Sequence, residues 1–451
     1  MRKELPMRDS IKVNQPKANE NTVRKKPIQS LRWWIGGMLF ASTVINYIDR
    51  QTLSALAPFL KEQYSWTNED YAFIVISFRV AYAIGQTVLG RLVDRIGTRL
   101  GLTLTVMGYS IIAMLTSLAS GLKSFAFFRL LLGFGESSNW PAATKAVSEW
   151  FPKKERGWAV ALFDSGSSIG AAIAPAFVIW LYSYFGSWQP AFLLTGALGF
   201  IWIIIWRIIY YSPENHPRIS DAEKQMILAD RKENTEESEK DLPRPKLIEL
   251  LKFKQTWGVI IARAFTDPIW FFIADWLMIL LVSKGFKPED TLIAFWIPFV
   301  AADLGNFSGG GFSSWLIKNG WPVGKARKAV VVFGALGMLM LIPIVYASNL
   351  FAIAGLFAIS TFAYASFSTM ALVLPSDIYK SNSVATVSGL SGTAAGILTI
   401  VSTFLIGNFS DKYSFAPILV VASIVPFIGG ILVLLLVRNT KESGKGVLRK
   451  I

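Results

Sequence analysis

From residue 33 onward the chain alternates long apolar runs with short polar ones. Twelve of the apolar runs reach roughly 20 residues or more, the length at which an α-helix crosses the hydrocarbon core of a bilayer. They fall at 33–60, 71–89, 100–120, 124–147, 158–182, 188–211, 257–282, 291–317, 329–347, 350–374, 384–409 and 415–437. The pattern predicts an all-α membrane protein with twelve transmembrane helices. Residues 1–30 are polar and charged and lack an apolar h-region, so they do not read as a cleavable signal peptide, and the first span must itself direct insertion. The longest polar segment, 212–254, carries dense mixed charge and separates six spans from six. The expected organisation is an N-terminal tail over 1–30, a six-helix bundle over 31–211, a linker with some short amphipathic helix over 212–254, a second six-helix bundle over 255–437 and a C-terminal tail over 438–451.

Composition agrees with a membrane location: 53% of residues are hydrophobic, 17% are charged and the mean hydropathy is +0.44, outside ordinary soluble usage. Without cysteine no disulfide or Cys-based metal site can form, and the single histidine, His216, reads as a solvated loop residue, so no metal or cofactor is expected. The net charge of +15 raises the question of nucleic acid, but that reading needs a basic surface on a soluble domain. Here the basic residues punctuate the apolar runs. They crowd the N-terminal tail (Arg24, Lys25, Lys26, Arg32), alternate loops (Arg91, Arg95, Arg99; Lys153, Lys154, Arg156; Lys325, Arg327, Lys328) and the C-terminal tail. By the positive-inside rule both termini are cytoplasmic, which an even number of spans allows. Matching six-span halves fit a transporter built from repeats around a central site; a twelve-span channel or membrane enzyme would share the count.

Local motifs narrow the class. "GRLVDRIGTR" spaces Gly90, Asp94, Gly97 and Arg99 as G-x3-D-x2-G-x-R. Gly90 lets a helix end approach a neighbour, Asp94 can pair with a basic residue or a helix N-terminus, and Gly97 permits a tight reversal. A weaker echo, "GNFSDKYS", follows the eleventh span. "GRLVDRIGTR" resembles the loop signature of the major facilitator superfamily. "NYIDR" in span 1, "RLLLGFGESSNWPA" in span 4 and "EWFPKKERGWAVALFDSGSSIGAAIAP" before and within span 5 resemble its anion:cation symporter branch. "ADLGN" and "SDIYKSNSVATVSGL" are most similar to the bacterial hexuronate transporters of that branch. The resemblance covers nearly the whole chain past residue 30. It implies the major facilitator fold, two six-helix bundles around a mid-membrane site; the expected location is the bacterial cytoplasmic (inner) membrane and the expected state a monomer.

Ionisable side chains in mid-bilayer cost several kcal/mol unless they are paired or face water, and they default to functional hypotheses. Ten occur here: Asp49, Arg50, Arg79, Arg129, Glu136, Asp164, Arg263, Asp267, Asp275 and Asp303. Tyr47 and Arg50 share a helix face, and a guanidinium with a phenol suits a carboxylate. Asp49 points about 100° away and is directed to another partner. An interfacial Asp49–Arg50 pair is the alternative, against which the apolar run 53–60 continues the span outward. Arg129 and Glu136, seven apart, lie on one stripe of span 4. A carboxylate near an arginine, exposed in turn to dry and wet surroundings, changes its proton affinity as a proton carrier must. The resemblance implies the same roles, with Asp49 and Glu136 as coupled protonation sites and Arg129 between them; a static buried ion pair locking spans 1 and 4 stays open beside it.

Arg79 and Tyr82 share a face of span 2, with Gln86 one turn beyond. Tyr82 and Gln86 match the branch, whereas Arg79 departs from its small or polar residue and is either a second cation for substrate or a neutraliser of Asp49 or Asp164. In the second half, Trp270 could stack on a pyranose or serve as core or interface aromatic. Asp303 and Asn306, three apart, are candidate hydroxyl ligands. Ser167 lies inside "GSSIG", where Gly166 and Gly170 fit small-xxx-small helix packing. No glycine run follows a strand and no nucleophile–base constellation is present, so neither a dinucleotide site nor an enzyme is expected. The function expected is a proton-coupled symporter importing an organic anion, a hexuronate such as galacturonate or glucuronate. Galactonate, glucarate or phthalate are alternative substrates, and an uncoupled anion facilitator or a sensor of the same fold is the competing class. Expected partners are the small anion, protons and membrane lipid, with no nucleic acid.

Overall fold

A computed structural model describes residues 26–232, 245–286, 288–412 and 415–437. Most of both tails, the middle of the linker, the side chain of Asp275 and most side chains of the "GNFSDKYS" echo lie outside the described residues. Sixteen α-helices occur among them, with short 3-10 turns and no strand. In chain order they are α1 Leu31–Tyr64, α2 Asn68–Ile96, α3 Thr98–Leu115, α4 Leu122–Glu136, α5 Asn139–Trp150, α6 Arg156–Phe185, α7 Gln189–Ile209, α8 Asp221–Lys232, α9 Leu247–Leu251, α10 Lys254–Ala264, α11 Asp267–Ser283, α12 Pro288–Lys318, α13 Val323–Gly337, α14 Leu350–Ile378, α15 Val384–Lys412 and α16 Ala416–Leu436.

Local chemistry sets several of the ends. Thr67 and Asp70 cap each other at the start of α2, the Asp70 carboxylate accepting from the Thr67 backbone (2.9 Å) and the Thr67 hydroxyl accepting from the Asp70 N–H (3.2 Å). Gly97, at φ +84°, turns the chain from α2 into α3 where a side chain would be strained. Asn349 Oδ1 accepts from the Phe351 and Ala352 N–H groups at the head of α14.

Eight stretches among the described residues are long and apolar enough to cross a membrane: Asp70–Ile96, Thr98–Leu118, Arg156–Phe185, Gln189–Ile209, Val323–Val345, Leu350–Ile378, Val384–Ile406 and Ala416–Leu436. The other predicted spans carry polar interruptions. Asn46, Asp49, Arg50 and Gln51 dilute the middle of α1, and Asp303, Asn306 and a glycine run dilute α12. The predicted fourth span is two helices, α4 and α5, parted at Ser137 and Ser138; the seventh is α10 and α11, parted at Phe265 and Thr266. Outward faces are apolar at helical spacing, as with Phe73, Ile76, Val80, Ile84 and Val88 on α2. Such a stripe would be a liability in water and is at home in lipid.

α1 packs on α6 and α7, α2 on α4, and α3 on α7; in the second half α12 and α13 pack on α14, and α10 on α15 and α16. Gly166 and Gly170 let α6 lie against α1, where a Cβ would meet the Phe40 and Val44 carbonyls at 2.7 and 2.6 Å. Between the halves, α2 packs along α15 and α6 along α12, with α5 touching α14 and α15. Gly157 and Gly310 face each other there, each leaving no room for a Cβ on the other, and Gly90 abuts the Ala385 carbonyl.

The linker is docked on the first half. Glu223 of α8 accepts from the Leu31 and Arg32 N–H groups (3.0 and 3.1 Å) and so caps α1, and Arg32 also pairs with Glu155 (2.6 Å). His216 is not solvated as its polar flanks led one to expect. It is 8% exposed, edge-on to Trp150 and Tyr211, accepts from the Arg218 N–H at Nδ1 (3.0 Å), and its Nε2 meets the Ile209 carbonyl (2.9 Å). Two local backbone bonds and two rings outweigh the polarity of the neighbouring sequence.

Candidate functional site

Near the middle of α1, Asp49 and Arg50 meet the end of α4. The helix stops at Glu136, where Pro141 has no N–H to offer the Ser137 carbonyl; the Ser137 hydroxyl turns onto the Phe134 carbonyl (2.6 Å) and the Ser138 hydroxyl meets that of Thr105 (2.6 Å). Glu136 is fully buried, and its Oε2 accepts from Arg50 Nε (3.0 Å) and Nη2 (2.9 Å). The same guanidinium lies 4.8, 4.9 and 4.8 Å from the ring centres of Tyr47, Phe78 and Tyr82, so three aromatic faces and one carboxylate hold the cation. Arg129 donates from Nη1 to the Arg50 carbonyl (3.0 Å); its Nε and Nη2 are buried without a hydrogen-bond partner among the described residues. Asp49 is buried beside them, with Glu136, Thr195 and Arg129 as electrostatic neighbours.

The sequence places Arg50 apart from the Arg129–Glu136 stripe; the structure brings it onto Glu136, and all four charges form one cluster. Helical rotation fixes the direction of a Cβ, but an arginine side chain is long enough to sweep back to a neighbouring helix.

A second charged group lies across the interface. Arg263, near the end of α10, donates from Nε (3.2 Å) and Nη2 (2.9 Å) to Oδ2 of Asp267, the first residue of α11. Tyr82 is within electrostatic reach of both Arg50 and Arg263, and Asp164 of Arg263, Asp267 and Asp303. Asp164 accepts from Trp140 Nε1 (3.0 Å), and Trp140 lies edge-on to Tyr47. Trp270 stacks on Tyr364 at 6.0 Å, and the Arg79 guanidinium lies 5.5 Å over the Phe271 ring. Ser168 of α6 stands against the Asp303 carboxylate. Two predicted site residues are engaged in helix structure: Asn306 Oδ1 accepts from Thr369 of α14 (3.0 Å), and the Ser167 hydroxyl donates to the Asp164 carbonyl of its own helix (2.7 Å).

At the end bearing the Gly90–Arg99 loop, a buried polar layer joins the halves. Asp94 accepts from Lys145 Nζ (2.8 Å) and, at the N-terminus of α15, from the Ala385 N–H (3.3 Å), the Thr386 N–H (2.6 Å) and the Thr386 hydroxyl (2.6 Å). Lys145 also donates to the Ser381 carbonyl (2.7 Å). Asp377 of α14 takes Arg156 (3.2 Å) from the first half and Arg327 (2.9 Å) from the second, and Arg327 reaches back to the Lys153 carbonyl (2.8 Å). Arg99 donates to the Arg207 carbonyl and lies 4.0 Å over Tyr211. Sequence reasoning singled out Asp94 but not Lys145, Arg156, Arg327 or Asp377. Arg156, Arg327 and Asp377 sit among the basic loop residues and quoted motifs and Lys145 lies between two of those motifs, yet nothing in their spacing announces their partners.

A helical membrane protein with a buried, aromatic-caged cluster of charges in its first half, and with its two halves joined by a separate polar layer, has the features of a transporter. The chain belongs to the Major Facilitator Superfamily, whose family model matches residues 39–403. It is 31% identical to the Hexuronate transporter of Escherichia coli (strain K12), over 92% of this chain and 96% of that protein. It is 33% identical to the Galacturonate transporter of Dickeya chrysanthemi, over 69% of this chain and 90% of that protein. Its fold is similar to that of the solved proton:xylose symporter XylE, with a TM-score of 0.72 at 14% identity over 92% of this chain and 97% of that one.

Proposed function

We propose that the chain imports a hexuronate, galacturonate or glucuronate, together with protons. It acts as a twelve-span monomer of the bacterial cytoplasmic membrane, both termini cytoplasmic, with bundles 31–211 and 255–437 rocking around the charged cluster. The observation that carries this reading is the Arg50–Glu136 pair, in which a guanidinium caged by three rings is held by a group that can take a proton. A substrate carboxylate competes with Glu136 for Arg50. Where it wins, Glu136 becomes a buried, uncompensated charge, which costs several kcal/mol and which a proton removes. Substrate binding and protonation therefore favour each other, and that reciprocity is what symport requires. Asp49 serves as a second proton site, with Arg129 coupling the two acids. Tyr47, Tyr82 and Arg79 complete the carboxylate side, and Trp270 offers a ring to the sugar. The names of the similar proteins and the sequence motifs support a sugar acid. Under the positive-inside reading the end sealed by Asp94 is cytoplasmic, so release of substrate into the cytoplasm requires this layer to part.

Reconstituted in proteoliposomes, the protein should accumulate galacturonate uphill when an inward proton gradient is imposed. Downhill flux alone would overturn the coupling, and uptake of galactonate or phthalate in place of galacturonate would overturn the substrate. Arg50→Ala should weaken galacturonate binding by about 10- to 100-fold, as expected for loss of hydrogen bonds to a charged group; wild-type affinity in that variant refutes the role of Arg50.

A further inference from the structure

Arg263 and Asp267 have no part in the coupling scheme, yet they are built much as Arg50 and Glu136 are. In both pairs Nε and Nη2 of the arginine converge on one carboxylate oxygen. Both pairs also stand where a helix is interrupted, after Glu136 in the first half and between α10 and α11 in the second. The second pair leaves two atoms over. Arg263 Nη1 and Asp267 Oδ1 are buried without a hydrogen-bond partner among the described residues. Each such orphan forfeits the hydrogen bond that water would give it, and buried polar atoms in native structures are as a rule paired with protein, ligand or water.

The surroundings indicate what fills them. Tyr82 reaches electrostatically to Arg50 on one side and Arg263 on the other, so the two arginines flank one region between the halves. Tyr364 is within electrostatic reach of Arg263, Asp267 and Asp164, and Trp270, one helical turn beyond Asp267, stacks on it. Under the proposed function the one carboxylate of the substrate is held at Arg50, so this pair meets no second anionic group. What it offers is one donor and one acceptor side by side, next to aromatic rings. A hydroxyl accepts and donates, and neighbouring hydroxyls on a pyranose can do both at once, while the ring's C–H face lies on an aromatic.

We propose that Arg263 and Asp267 form a second recognition subsite, opposite Arg50, that reads the hydroxyl groups of the transported acid. It accepts a polyhydroxylated monocarboxylate and selects against deoxy analogues. This rests on the sugar-acid reading of the central site, whose own failure is separable: a wild-type protein that exchanges no galacturonate sinks both, whereas one that does exchange it exposes the subsite alone.

Galacturonate counterflow in proteoliposomes needs no proton gradient, and competition by galacturonate and by its 4-deoxy analogue gives a selectivity ratio for each variant. The wild type should prefer galacturonate by about 10- to 100-fold, the range for hydrogen bonds to charged groups. Asp267→Asn and Arg263→Lys should each bring the ratio to within about threefold of unity, while the affinity for the deoxy acid stays near the wild-type value. A ratio unchanged in both variants overturns the subsite. The charge-swapped double variant Arg263→Asp/Asp267→Arg separates a ligand role from a structural one. If the pair merely braces α10 against α11, the swap restores wild-type selectivity, which also overturns the proposal; if the pair reads hydroxyls, the swapped protein keeps its thermal stability and stays unselective.

Discussion

Replacing Asp94 with asparagine should open the sealed end of the molecule. Asp94 is 4% exposed and takes four hydrogen bonds, one from Lys145 of its own half and three from Ala385 and Thr386 across the interface. The three crossing bonds exist only while α15 stays against α2. Asparagine keeps one acceptor oxygen, but it removes the charge that faces both the Lys145 ammonium and the α15 N-terminus, and it presents an NH2 group to donors. The Lys145 pair lies within one half and persists in both states, so the shift comes from the crossing bonds, where loss of a hydrogen bond to a charged group is worth about 1.5–3 kcal/mol. At about 1.4 kcal/mol per tenfold, the ratio of sealed to open molecules should fall by roughly 10- to 100-fold.

The chain provides a clean reporter for this shift because it has no cysteine. Thr87 of α2 and Thr393 of α15 meet hydroxyl to hydroxyl at 2.7 Å, close enough for a Thr87→Cys/Thr393→Cys variant to form a disulfide under mild oxidation. In that background the sealed form should cross-link readily and stop transporting until reduced. Adding Asp94→Asn should slow cross-linking by at least tenfold and speed maleimide labelling of the unoxidised thiols, with the protein still monodisperse on gel filtration. Equal cross-linking rates with and without Asp94→Asn would refute the claim that this layer holds the two halves together.

Glu136→Gln should abolish gradient-driven accumulation while leaving galacturonate exchange within about threefold of wild type, because the amide still reaches Arg50 but cannot carry a proton; loss of folding, read by thermal shift, would favour a static ion pair instead. His216 gives a pH dependence outside the membrane. Its burial pushes the imidazole below its ordinary value of 6.5, with the Arg218 charge adding to the shift against the opposing Ile209 carbonyl. The folded state therefore resists a proton that the unfolded linker accepts, so the contribution to stability is present above about pH 6.5 and is lost as pH falls from there through the folded value. Thermal midpoints measured across this window should show a His216-dependent decline, and His216→Phe, which keeps ring contact with Trp150, should flatten it.

Much of the fold was legible because the length and polarity of apolar runs are one-dimensional quantities. The eight stretches apolar enough to cross a membrane all overlap predicted spans, and the linker helix α8 falls inside the expected 212–254 segment. The helix breaks were not legible. Ser137 and Ser138 are small polar residues inside an apolar run, and the run continues past them through Pro141 into α5 with no change of composition to mark the break. Partners were harder still. Asp94 and Lys145 are 51 residues apart, and Arg156 and Asp377 are 221 apart, distances over which spacing carries no information. Arg263 and Asp267 are only four apart, but they lie on either side of the break between α10 and α11, and their pairing was not read from the sequence either.

Charge sets the terms on which an anion can enter this region. Among the described residues, Asp49, Glu136, Asp164, Asp267 and Asp303 outnumber Arg50, Arg79, Arg129 and Arg263, so with every group charged the region repels an anion. Arg50 and Arg263 are each tied to one of those acids, and neither presents a free cation to an arriving carboxylate. Under the proposed function, a monoanion can win Arg50 only as Glu136 loses its charge, and a proton is the smallest means of removing it. Coupling then needs no dedicated relay, because it follows from an arginine shared between a substrate and a titratable group. The Arg263–Asp267 pair completes the logic from the other side: a monocarboxylate held at Arg50 has no second anionic group with which to displace Asp267, whereas a hydroxyl fits the orphan donor and acceptor as they stand. One arginine selects the charge of the substrate, and the other selects what that charge is attached to.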